Sequence, residues 1–75
     1  PSNLVTIGSA VTVRGEDGKE TVLKIVGSQE SDPMQGIVSE ESPFGRALVG
    51  AQEGQAVVVE APMGTIPYTV VKIRH

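Results

Sequence analysis

Ser42-Pro43-Phe44-Gly45-Arg46-Ala47-Leu48-Val49-Gly50, followed at once by Ala51-Gln52-Glu53-Gly54-Gln55-Ala56-Val57-Val58-Val59, reads as one short capped helix feeding a strand. Ser42 can accept a hydrogen bond from an orphan N–H of the first turn, and Pro43 suits the first helical position because it has no donor to waste. Gly50 can close the helix in a left-handed conformation. Within it, Phe44 and Leu48 lie four residues apart and share a face. The Val-rich run Gln55–Ala61 is too short for a helix, and its composition predicts a well-buried central strand with Val57–Val59 at its heart.

Upstream of this stretch, period-two alternation dominates. Ala10–Arg14 places Val11 and Val13 on one face, and Gly15-Glu16-Asp17-Gly18 supplies a hairpin turn. Thr21–Val26 returns with Leu23 and Ile25 on its apolar face. The polar stretch Gly27–Gly36 carries two carboxylates and Pro33, which opposes ladder pairing, and reads as an exposed loop. Ile37–Ser39 is a short third strand. Downstream, Pro62-Met63-Gly64 turns the chain into Thr65–Ile73. Strict alternation there sets Ile66, Tyr68, Val70 and Lys72 against Pro67, Thr69, Val71 and Ile73, and Pro67 marks an edge or a bulge. The expected architecture is α+β, with about five antiparallel strands wrapped on one short helix.

Composition narrows the function. A chain of 75 residues holds one small core and buries about 60% of the surface its unfolded form exposes. It contains no cysteine, so no disulfide or thiolate metal site supports the fold, in keeping with a reducing cytoplasm. Six Lys and Arg stand against nine Asp and Glu, for a net charge of −3. That balance argues against autonomous nucleic-acid binding, which relies on clustered cations to displace counterions. The uncharged runs are too short to span a bilayer, and Pro1–Ser9 lacks the basic start and apolar run of a signal peptide.

Catalytic chemistry is equally thin. The single histidine, His75, is the last residue of the sequence, where a side chain is poorly held for catalysis. No phosphate-cradling glycine motif occurs. Glu40 and Glu41 are adjacent and would point to opposite faces of an extended backbone, so they read as solvated charge. Glu30 and Asp32 could project together from their loop, but two carboxylates alone make a poor cation site, and contact with a protein partner is the better reading. Phe44 reads as packing beneath the helix, and Arg46 as an exposed charge able to present its planar guanidinium to a partner carboxylate. No cofactor and no metal are expected.

The Ser42–Gly50 segment also resembles the Ser-Pro-x-x-Arg-x-Leu-x-Gly signature in the C-terminal domain of the bacterial Gre transcript-cleavage factors. The resemblance runs from about Gly8 to Arg74. It includes Gly-x-x-Val-x-Val at Gly8–Val13, Ile25-Val26-Gly27, Glu30-Ser31-Asp32 in place of the family's Glu-Ala-Asp, Ile37-Val38-Ser39, Gly54, Val57, Val59 and the Pro62-x-Gly64 turn. Gln55 departs from a common Asp, and Ala61-Pro62-Met63-Gly64 from a more usual Thr-Pro-Gly-Gly. The resemblance implies an FKBP-like fold. It also implies a single domain over residues 1–75 that lacks the family's N-terminal coiled coil, whose acidic tip helps hold a catalytic magnesium in the polymerase.

On that reading the domain is a non-catalytic, monomeric, cytoplasmic anchor that docks on the secondary-channel rim of bacterial RNA polymerase. Its contact residues would be Asp32, Ser42 and Pro43, with Glu30, Phe44 and Arg46 as neighbours. Two other readings accompany the fold. One is a stand-alone regulator similar to the nucleoside-diphosphate-kinase regulators. The other is a prolyl isomerase or chaperone, for which two aromatic residues make a sparse pocket.

Overall fold

A computed structural model describes residues 4–27, 32 and 35–74. In chain order the elements are β1 (Ala10–Arg14), β2 (Glu20–Val26), β3 (Ile37–Ser39), α1 (Pro43–Leu48), β4 (Ala56–Ala61) and β5 (Gly64–Arg74). The helix begins as its sequence dictates. Ser42 is extended (φ −73°, ψ 164°), its hydroxyl accepts from the Gly45 N–H, and Pro43 occupies the first turn. It ends at Val49, whose N–H donates to the Gly45 carbonyl, and Gly50 then turns away with φ +87°.

The strands form one sheet in the order β3-β2-β1-β5-β4. Three of its four contacts are antiparallel, but β3 runs parallel to β2, from Lys24↔Ile37 to Val26↔Ser39. The sheet is therefore mixed, not wholly antiparallel as the sequence suggested. Alternation reports which face a side chain takes and carries no information on strand direction. The register sets Ile37 beside Lys24 and Ser39 beside Val26, so β3 runs in the same direction as the last part of β2.

A second correction concerns β4. It lies at the sheet edge, not at its centre, paired with β5 alone. Val57 and Val59 are buried while Val58 is 55% exposed, so the run of three valines is an alternating strand with one face in the core. A third concerns β5. Val13 pairs with Val70 but Thr12 with Lys72, which leaves Val71 as the extra residue of a bulge. The bulge shifts the parity of the strand, and Val70 and Ile73, expected on opposite faces, are both buried. Pro67 lies in the half of β5 that pairs only with β4, because the register with β1 stops at Thr69, and there its missing N–H costs no ladder bond to β1.

The core gathers Val11 and Val13 of β1, Leu23 and Ile25 of β2, Val38 of β3, Leu48 of α1, and Val5 and Ala51 from the flanking segments. Val5 is held by two backbone bonds, its N–H to the Ala51 carbonyl at 2.9 Å and its carbonyl from Gly50 at 2.9 Å. Beyond the start of β4, the edge of β5 is met by a side chain: the Glu53 carboxylate accepts the Ile73 N–H at 2.9 Å. At Gly45 the helix comes close to the backbone at the end of β3. A Cβ there would lie 2.0 Å from the Ser39 carbonyl oxygen and 2.6 Å from the Glu40 Cα. Both are backbone atoms that cannot swing aside, so only glycine lets the helix lie on the end of β3.

Two stability changes follow. Gly45→Ala should lower unfolding free energy by about 2 kcal/mol or more, despite the better helix propensity of alanine. A urea midpoint within error of the parent would show that the helix does not need this approach. Glu53→Ala should cost about 1 kcal/mol by leaving the Ile73 N–H without its partner, with Glu53→Gln recovering part of the loss in the same titration.

Candidate functional site

The candidate contact residues fall at the two ends of β3 and on the helix that follows it. Asp32 is half-buried and tied to the start of the strand: its N–H donates to the Ile37 carbonyl at 2.7 Å, and its carbonyl accepts from Ile37 at 3.0 Å and Gln35 at 2.9 Å. Its carboxylate forms no ion pair among the described residues. Glu30, its expected neighbour, lies outside the described residues, as does His75.

Ser42 sits just past the other end of the strand, and its hydroxyl is committed internally. It donates to the Ser39 carbonyl at 2.6 Å and accepts from the Gly45 N–H at 3.0 Å. The Ser39 hydroxyl in turn accepts the Glu41 N–H at 3.0 Å. These bonds turn the chain from strand into helix and fix where Pro43 stands. Ser42 thus shapes the surface, while Pro43 is what the surface shows.

Pro43 and Arg46, three residues apart, lie on the outer side of the helix and both are exposed. Phe44 and Leu48 take the inner side. Leu48 is fully buried, and the Phe44 ring packs on Tyr68 of β5 with centroids 5.2 Å apart at a tilt of 53°. Phe44 therefore pins the helix to the sheet. The structure thus separates the five described residues of the six named from sequence. Pro43 and Arg46 share a surface, Asp32 is anchored at the far end of the same edge strand, and Ser42 and Phe44 support the surface from within.

The outer side of the helix continues across β4. Pro43, Arg46 and Ala47 line a shallow hollow with Glu41, Val58 and Glu60. Sequence reasoning missed Val58, which it buried in a central strand, and read Glu41 only as solvated charge. The available signal was alternation itself: with Val57 and Val59 inside, Val58 must face out. Arg46 makes no ion pair among the described residues, although two carboxylates border the same hollow. No group of three or more His, Cys, Asp or Glu able to hold a metal occurs among the described residues. Nor is any helix among them long and apolar enough to cross a membrane.

Comparison with known proteins gives the fold a context. The family model "Transcription elongation factor, GreA/GreB, C-term" matches residues 1–75. A transcription elongation factor GreA of Roseiflexus sp. (strain RS-1) is 54% identical over 72 residues, covering 93% of this chain and 45% of that protein. Among solved structures, GreA factor homolog 1 (Gfh1) of Thermus thermophilus superposes with a TM-score of 0.84 at 25% identity, over 96% of this chain and 49% of that one. The elongation factor GreA/GreB of Nitrosomonas europaea gives a TM-score of 0.79 at 27% identity, over 100% of this chain and 63% of that one. The chain spans about half the length of the curated relatives it matches. The curled five-stranded sheet with one short helix is thus the α+β, FKBP-like arrangement that recurs in solved relatives. With a family model matching from the first residue to the last, the chain belongs to the GreA/GreB family of transcription elongation factors and corresponds to their C-terminal domain.

Proposed function

We propose that this domain is the anchor by which a Gre-type elongation factor holds bacterial RNA polymerase, docking at the rim of the secondary channel in the cytoplasm. It acts as a monomer and performs no catalysis of its own. Stimulation of cleavage of backtracked transcripts would belong to the full-length factor. The observation that carries the reading is the exposure of Pro43 and Arg46 on a helix whose position is over-determined from below, by the Ser42 cap and by the close approach at Gly45.

A rigid, exposed proline gives a partner a preformed apolar contact that loses little entropy on binding. Arg46 beside it offers a planar, always-charged donor to a carboxylate. The carboxylate of Asp32, at the far end of β3, extends the contact with the opposite charge. Complementary charges of both signs along one edge fix the register of docking more than they raise its affinity.

Binding of the purified chain to immobilised bacterial core RNA polymerase tests this. Pro43→Ala and Asp32→Ala, each checked for native circular dichroism, should weaken binding by about tenfold, or about 1.4 kcal/mol. Unchanged affinity in both folded variants would remove these residues from the interface.

A further inference from the structure

Although acidic overall, the chain concentrates its cations. Arg14, Lys24, Lys72 and Arg74 are four of its six Lys and Arg, and all stand on the side of the sheet away from the helix. With Val11 and Val13 in the core, Ala10, Thr12 and Arg14 face outward. Strand pairing then builds rows across three strands: Arg74, Ala10 and Lys24 in one, Lys72, Thr12 and Val22 in the next. Arg14 is neutralised by Glu20 at 2.7 Å. Lys24, Lys72 and Arg74 are exposed and make no ion pair among the described residues. The carboxylate of Glu53 is turned to the strand edge, where it holds the Ile73 N–H.

The middle of this face is apolar. Ala10, Thr12 and Val22 line a hollow of about 370 Å³ together with Lys72 and Arg74, and Val22 is 60% exposed. Lys24 and Arg74 are two strand spacings apart, roughly 10 Å between backbones, so their side chains border the apolar strip from both sides.

From this arrangement we infer that the outer face of β1, β2 and β5 docks an acidic, partly apolar segment of a protein partner, at a surface separate from the helix edge. An apolar side chain of the partner sits against Val22 and the Thr12 methyl, and its flanking carboxylates meet Lys24, Lys72 and Arg74. The apolar centre favours protein over nucleic acid, because a phosphate backbone has nothing to place there. Phe44 and Tyr68 pack on each other instead of joining this face, so no aromatic platform for stacked bases is built on it.

The test uses fluorescence anisotropy with three probes: a short labelled peptide alternating Glu and Leu, its counterpart with Lys for Glu, and oligouridine. The Glu peptide should bind best, and Lys24→Glu with Lys72→Glu should weaken it about tenfold or more, a loss of about 1.4 kcal/mol. The milder pair Lys24→Gln with Lys72→Gln should act in the same direction if charge reversal perturbs folding. Val22→Ser should weaken binding, and Lys19→Glu at the hairpin tip should not. Amide shift changes on adding the peptide should fall at residues 10–12, 22–24 and 72–74 and spare 43–46. Equal binding of the two peptides, tighter binding of oligouridine, equal loss in the Lys19 variant, or shifts centred elsewhere would each overturn the inference. Because Pro43 and Asp32 take no part in this assay, its failure leaves polymerase anchoring unaffected.

Discussion

Everything in this domain that can meet a partner at the helix edge depends on one close approach, the seating of Gly45 on the Ser39 carbonyl. A side chain at that position would collide with backbone atoms that have no rotamer to escape into. Around the contact, three hydroxyl-mediated bonds turn the chain. Ser42 bonds both the carbonyl behind it and the amide ahead of it, and Ser39 takes the Glu41 N–H. A helix of six residues has little stability of its own, so its place is set by this junction and by burial of Leu48 and the Phe44 ring. The exposed side is consequently rigid, although it is built on one of the smallest elements of the fold.

The curl of the sheet has an equally local origin. One long strand, β5, serves two neighbours along different parts of its length: Gly64–Thr69 pairs with β4, and Thr69–Arg74 with β1. The bulge at Val71 lies in the stretch that pairs with β1 and increases the local twist. It also turns Val70 and Ile73 into the same core, three residues apart, which a regular strand cannot do. The part of β5 left without a neighbour beyond β4 is closed by the Glu53 carboxylate, so an otherwise open edge gains an acceptor from the loop.

These two features explain what could be read in the sequence and what could not. The Ser42 cap, Pro43 in the first turn, Gly50 after the last, and the inward pairs Val11/Val13 and Leu23/Ile25 are local signals, and they appear where the sequence puts them. The direction of β3, the edge position of β4 and the parity of β5 are set by pairings between residues far apart, on which periodicity is silent. Gly45 carried no signal as a packing residue, because within a helical pattern a glycine looks merely tolerated. The same division holds at the candidate site. Ser42 and Pro43 were visible as a cap, but that Ser42 is turned inward and Pro43 outward depends on the Ser39 carbonyl. That Val58 borders the hollow depends on β4 being an edge.

Charge is also partitioned by topology and not by sequence position. Lys24 and Arg74 lie far apart in the chain, yet Ala10 pairs with both and brings them to the same row. Four of the acidic residues lie elsewhere: Glu41 and Glu60 border the helix hollow, and Glu16 and Asp17 occupy the β1–β2 turn. A net charge of −3 therefore describes neither surface. At the short range over which exposed charges act in physiological salt, about 8 Å, a partner senses the face it approaches and not the total. The helix edge offers charges of both signs around an apolar contact, whereas the outer sheet offers cations around an apolar strip, and so the two differ in the chemistry they present. Since β1 contributes to the core on one side and to the cationic rows on the other, the alternation that folds the domain is also what separates its surfaces.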